Sequence, residues 1–66
     1  MEQEKAQALA QALARLPEDY RLIITLHHQE QRSFEEIAER MQRSLPAVRK
    51  LWQRALERLQ KELELP

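Results

Sequence analysis

The pattern of apolar and polar positions between residues 33 and 63 predicts two helices separated by a short break. In the first helix the apolar residues recur at intervals of three and four positions: Phe34, Ile37, Ala38 and Met41. The segment 42–44 interrupts this pattern, and a second helix continues to about Leu63. Two helices joined by a break of three to four residues are typical of a helix-turn-helix.

A serine stands at the expected N-cap position of both helices. Ser33 precedes the first helix, and Glu36, three residues later, completes the sequence of a capping box. Ser44 precedes the second helix, whose first turn contains Pro46. Proline is tolerated there because the first N–H groups of a helix have no intrahelical partner. The sequence therefore predicts a helix-turn-helix over about residues 33–63.

The second predicted helix has one apolar face and one polar, mostly cationic face, when its residues are placed about 100° apart. The apolar face comprises Val48, Trp52, Ala55, Leu59 and Leu63, with Leu56 beside them. The opposite face comprises Pro46, Lys50, Gln53, Glu57 and Lys61, flanked by Arg49, Arg54 and Arg58. A helix that recognises DNA needs this division, because its outward side chains reach base edges and phosphates.

The N-terminal half predicts two scaffold helices. Residues 2–15 are rich in alanine and have an apolar stripe: Ala6, Leu9, Leu13 and Leu16. Pro17 at a helix start, followed by Glu18 and Asp19, predicts a helix over about 17–30. The nearly continuous apolar run 22–26 would suit a buried strand in isolation, but the chain offers no partner strand. We therefore predict an all-α, small four-helix domain containing a helix-turn-helix, with residues 1–66 forming a single domain.

Several short motifs lie between residues 16 and 59, and the spacing between them is unbroken. They are Leu16-Pro17-Glu18-Asp19-Tyr20-Arg21, Ser33-Phe34-Glu35-Glu36-Ile37-Ala38, Ser44 with Val48, Arg54-Ala55 and Leu59. In these motifs the chain resembles region 4 of bacterial sigma factors of the extracytoplasmic-function type. That region recognises the promoter −35 element and also contacts RNA polymerase and anti-sigma proteins. The resemblance implies double-stranded DNA as a partner, and RNA polymerase or an anti-sigma protein if the domain is natural.

The chain departs from that family at its bends. The family usually has glycine where Gln31 and Gln42 stand, and this chain contains no glycine. If either bend needs a left-handed residue, a residue other than glycine costs about 1–2 kcal/mol there. The family also has small polar residues where this chain has Leu45-Pro46-Ala47, so we expect a different base preference.

Charge is unevenly distributed along a chain whose formal net charge is zero. Residues 40–61 contain seven basic residues against the single acidic residue Glu57, whereas residues 1–39 contain four basic and eight acidic residues. A cationic half can face phosphates while an acidic half faces away.

Several other classes of function have little support in the sequence. The chain has no cysteine, and the adjacent His27 and His28 would point about 100° apart on a helix, so we predict no metal site and structural or surface roles for both. Ser33 and Ser44 have no neighbouring base, and we predict neither an enzyme nor a cofactor. No signal peptide or membrane span is visible, so we expect a cytoplasmic location, associated with the nucleoid if the protein is natural.

We predict that the second helix of the pair, about residues 45–63, enters the major groove with its N-terminus first. The predicted base-contacting residues are Leu45, Pro46, Arg49, Lys50 and Gln53. The predicted phosphate-contacting residues are Arg32, Ser33, Arg43, Ser44, Arg54 and Arg58.

Two alternatives stay open at this point. The chain could be a sigma region 4-like module whose main partner is RNA polymerase or an anti-sigma protein. It could also be a de novo designed DNA-binding protein on that scaffold, which the lack of glycine and the ends at Met1 and Pro66 would fit. The target sequence and oligomeric state also stay open, since Leu51, Leu56 and Leu63 could belong to the core or to a dimer face.

Overall fold

Four helices make up the part of the chain that the computed structural model describes, which is the backbone of residues 2–63 and the side chains of residues 7–63. They are α1 (Glu2–Ala14), α2 (Glu18–Ile24), α3 (Phe34–Met41) and α4 (Leu45–Leu63), and α2 continues directly into a π-helical segment, Thr25–Gln29. The predicted all-α, four-helix fold with a helix-turn-helix is confirmed. Met1, residues 64–66 and the side chain of Ala6 lie outside the described residues.

The second helix differs from its prediction in its hydrogen bonding. Regular α-helix ends at Ile24, and beyond it the Thr25 carbonyl accepts from the Glu30 N–H, five residues on, at 3.0 Å. This wider turn is the π-helical pattern, which usually occurs as a single turn within or beside an α-helix. Pro17 lies one residue before the helix with an extended ψ of 152°. The run 22–26, for which a strand was the alternative, is helical throughout.

The core is centred on the three largest of the completely buried side chains: Ile23 from α2, Ile37 from α3 and Val48 from α4. Around them pack the other buried members of the cluster: Leu13, Leu16, Ile24, Leu26, Leu51 and Ala55. Complete burial of a side chain of this size contributes roughly 1.5–3 kcal/mol. The apolar stripes of α3 and α4 thus meet at the core, and the turn between these helices lies at the surface.

The sequence left open whether Leu51, Leu56 and Leu63 of α4 belong to the core, and only Leu51 does. Leu56 and Leu63 are 41% and 47% exposed, whereas Leu51 is a core residue with 8% exposure. Leu56 lies at the edge of the apolar arc, about 80° from Val48 at 100° per residue. Leu63 lies fifteen residues beyond Val48, about 22 Å along the helix at 1.5 Å per residue. The core does not extend that far.

The bends on either side of α3 are both left-handed. Gln31 has a φ of 57° and Gln42 a φ of 55°, so each glutamine has the conformation that usually selects glycine. At the second bend the Arg43 N–H donates to the Ala38 carbonyl at 2.9 Å. This bond closes the helix end in the manner of a Schellman motif and satisfies a carbonyl that would otherwise lack an intrahelical partner.

We predict that Gln42→Gly stabilises the domain by about 1 kcal/mol, because it relieves the left-handed strain at this bend. Gln31→Gly should have an effect of the same sign. The measurement is the free energy of unfolding from urea denaturation.

The matched control is Gln60→Gly, which replaces the same residue type at an exposed position within α4. There the backbone is right-handed, so glycine should destabilise by about 1 kcal/mol. Destabilisation by Gln42→Gly as large as that of the control would show that no strain is stored at the bend.

Candidate nucleic-acid interface

Both helices of the helix-turn-helix begin at serine caps, as the sequence predicted. The Ser33 hydroxyl accepts from the Glu36 N–H at 3.1 Å, and the Glu36 carboxylate accepts from the Ser33 N–H at 3.0 Å. The Ser44 hydroxyl accepts from the Ala47 N–H at 3.2 Å. These bonds fix the residues at which α3 and α4 start.

A cluster of three aromatic rings holds α3 against α4. The His27 ring stacks on Phe34 with 4.3 Å between centroids, and its edge meets Trp52 at 4.6 Å. His27 Nδ1 lies 2.9 Å from the Arg32 carbonyl oxygen, an acceptor, so the bond requires a proton on Nδ1. His27 thus joins the π-helical segment, the following loop and both helices. Its predicted structural role is confirmed, and His28 is exposed.

The outward face of α4 presents four of the five predicted base-contacting residues to solvent: Pro46, Arg49, Lys50 and Gln53. Leu45, the fifth, is half-buried because it lies on the core side of the first turn. The exposed four span the first three turns of α4, the part of a recognition helix that reaches base edges in a helix-turn-helix.

Three of the four predicted phosphate-contacting arginines hold carboxylate partners. Arg32 lies 3.6 Å from both Glu30 and Glu36, and Arg58 Nε lies 3.6 Å from Glu62. Arg43 donates to the Asp19 carboxylate across the gap between the turn and α2. Among the described residues, Arg49, Lys50 and Arg54 form no ion pair. Arg49, Lys50 and Arg54 all lie in the first three turns of α4, whereas Arg32 and Arg43 precede this helix and Arg58 lies toward its C-terminal end.

The first turn of α4 offers few backbone donors to a phosphate. Pro46 has no N–H, and the Ala47 N–H is already bonded to Ser44. Helix N-termini bind anions through free N–H groups, so contacts at this end depend mainly on side chains. Ser33 and Ser44 are exposed, but each hydroxyl also serves its cap.

Sequence reasoning did not find Asp19 and Glu62 as members of this surface. Asp19 stood out only as an acidic residue at a helix start, and it lies 24 positions from its partner Arg43. Glu62 lies near Arg58, four residues before it, and also 3.9 Å from Arg15, just after α1. The i,i+4 pair is visible in the sequence, whereas the other two contacts depend on how the helices pack.

The described part of the chain adds two negative observations. None of its helices combines the length and apolar character that crossing a membrane requires. It also contains no cluster of three or more His, Cys, Asp or Glu side chains arranged to hold a metal ion.

A capped turn followed by an exposed, cationic helix defines the helix-turn-helix class of DNA-binding domains. Within this class, the family model for sigma-70, region 4 matches residues 6–59. The chain therefore belongs to the sigma-70 region 4 family, whose domains act in transcription as DNA-binding helix-turn-helix modules in the context of RNA polymerase. No curated protein and no solved structure matches the chain.

The capping box predicts a pH dependence of stability. The Ser33 backbone N–H lowers the pKa of Glu36 below its ordinary value of 4.5, with smaller contributions from the Ser33 hydroxyl and Arg32. Folding thus favours the carboxylate, so this stabilisation is present above pH 4.5 and is lost as the pH falls through the lowered pKa of the folded state. Glu36→Gln retains a side chain that can complete the box but does not titrate.

We expect the free energy of unfolding of Glu36→Gln to fall less steeply than that of the wild type as the pH is lowered from about 5 to about 3. Urea denaturation at several pH values measures this. Glu35→Gln removes one charge from the same turn without touching the box, and its profile should follow the wild type. Parallel profiles for Glu36→Gln and the wild type would contradict the prediction.

Proposed function

We propose that this domain binds double-stranded DNA sequence-specifically by inserting α4 into the major groove. The observation that supports this best is the outward face of α4, where Arg49, Lys50 and Gln53 are exposed and the two cations form no ion pair with any described residue. Charged side chains without internal partners are available to a ligand at the lowest cost, since no existing contact has to be broken. We propose a binding role and no catalysis.

Each exposed residue of this face has a suitable partner on a base edge. Arg49 or Lys50 pairs with O6 and N7 of guanine, and Gln53 pairs with N6 and N7 of adenine. Pro46 suits an apolar contact with a thymine methyl group. Leu45, being half-buried, has less surface to offer a base. Arg54 lies on the flank of α4 and suits a phosphate. Ser33, Ser44 and the three paired arginines also suit phosphates; these arginines are Arg32, Arg43 and Arg58.

The first experiment is selection from a randomised double-stranded DNA library at two salt concentrations. Enrichment of a short motif, with affinity that falls as salt rises, would support sequence-specific binding, because phosphate contacts release counterions. An absence of enrichment at low salt would overturn the proposal.

On the enriched motif, Arg49→Ala should cost about 1–3 kcal/mol and relax the preference at one base pair, because a base contact is lost. Arg54→Ala should weaken binding to all sequences to a similar extent, because a phosphate contact has no sequence preference. Fluorescence anisotropy on the motif and its single-base variants measures both. Equal losses on every sequence for Arg49→Ala would contradict its assignment as a base-reading residue.

A second candidate function is binding to RNA polymerase or an anti-sigma protein, with DNA in a minor role. An apolar groove of about 170 Å³ favours it, with Leu56 exposed at its edge. The lining residues are Leu9, Leu13, Ile24, His28, Gln29, Trp52, Leu56 and Leu59. Capture of either protein that is lost in Leu56→Ser but kept in Lys50→Ala, together with a failed DNA selection, would favour this candidate.

A further inference from the structure

We propose that Asp19 limits the affinity of this domain for DNA by neutralising Arg43 at the turn before α4. The inference rests on the proposed DNA binding and extends it to the residues that set its strength. It concerns how tightly the domain holds the phosphates and how strongly salt opposes binding.

The pair joins two elements that are distant in sequence. Asp19 lies in the first turn of α2, and Arg43 lies in the turn between α3 and α4, directly before the Ser44 cap. The guanidinium Nη2 donates to Asp19 Oδ2, and the two side chains are 38% and 51% exposed. Arg43 is therefore accessible at the edge of the proposed interface, but its charge already has a partner.

Two further arginines proposed to contact phosphates also have carboxylate partners. Arg32 is flanked by Glu30 and Glu36, and Arg58 by Glu62. By contrast, Arg49, Lys50 and Arg54 have no carboxylate partner among the described residues. Three of the four arginines proposed to contact phosphates are therefore paired, and Arg54 is the exception. The cations proposed to contact bases, Arg49 and Lys50, are not neutralised in this way.

A phosphate gains less from a paired arginine than from a free one. If Arg43 stays with Asp19 when DNA binds, the carboxylate brings a negative charge close to the phosphates. If Arg43 changes partner, the ion pair with Asp19 is lost. In both cases the pair subtracts from the binding free energy, and in the first case one fewer counterion is released from DNA.

The opposite role for Asp19 would be to orient Arg43 toward a phosphate, since a guanidinium has five donors and can hold two partners. The two roles predict opposite effects of removing the carboxylate. Neutralisation predicts tighter binding, and orientation predicts weaker binding.

The decisive variant is Asp19→Asn, with Glu18→Gln as a matched control that removes one negative charge from the adjacent position of the same turn. Binding to the selected duplex and to an unrelated duplex of equal length is measured over a series of salt concentrations. We expect Asp19→Asn to bind both duplexes about threefold more tightly than the control does. The slope of log K against log salt should become steeper by about 0.9, the value for one added phosphate contact.

A second pair of variants ties the effect to Arg43. In a background of Arg43→Gln, Asp19→Asn should have no larger effect than Glu18→Gln, because no guanidinium is left to release. Thermal unfolding of each variant shows whether folding has changed. The inference is overturned if Asp19→Asn binds no more tightly than Glu18→Gln, binds more weakly, or keeps its advantage without Arg43.

The same experiment separates this inference from the proposed function. If the wild type binds the duplexes and Asp19→Asn equals its control, the inference alone fails. If no variant binds either duplex at low salt, the proposed function fails, and the inference fails with it.

Discussion

The burial of Ile23, Ile37 and Val48 is the interaction on which the rest of the structure depends, because it brings α2, α3 and α4 to a common core. With 66 residues and no cysteine, the domain has no disulfide to compensate for lost packing. α3 has only 8 residues, too few to be stable as an isolated helix. Its orientation against α4, and hence the direction in which α4 presents its polar face, is set by this contact and by the His27, Phe34 and Trp52 rings that lie beside it.

What the sequence predicted correctly was local. The capping box of Ser33 and Glu36, the cap at Ser44 and the apolar stripes of α3 and α4 all rest on residues within about four positions of each other. What it missed depends on packing between distant segments. The pairing of Asp19 with Arg43 spans 24 positions. The burial of Leu51 and the exposure of Leu56 and Leu63, which the sequence left open, follow from where the core ends. The sequence identified the outward side chains of α4, but could not show that Arg43 is already paired with the distant Asp19.

The two left-handed glutamines show how far tertiary packing can override local preference. Gln31 and Gln42 flank α3 on either side. This short helix therefore has an unfavourable backbone conformation at both ends. Each bend is held by specific bonds: His27 to the Arg32 carbonyl at the first, and the Arg43 N–H to the Ala38 carbonyl at the second. With Ile37 fully buried between them, α3 cannot rotate to relieve either bend without exposing the core.

The electrostatics of the domain favour short-range recognition over long-range attraction. A formal net charge of zero gives little steering of the protein toward DNA as a whole, since that attraction depends on the summed field. The field that remains is local, because Arg32, Arg43 and Arg58 are paired with carboxylates, whereas Arg49, Lys50 and Arg54 in the first three turns of α4 have no carboxylate partner among the described residues. In the proposed complex few counterions would be released, so the sequence-independent affinity would be modest. The affinity of the proposed complex would then depend mainly on base contacts, which differ between sequences.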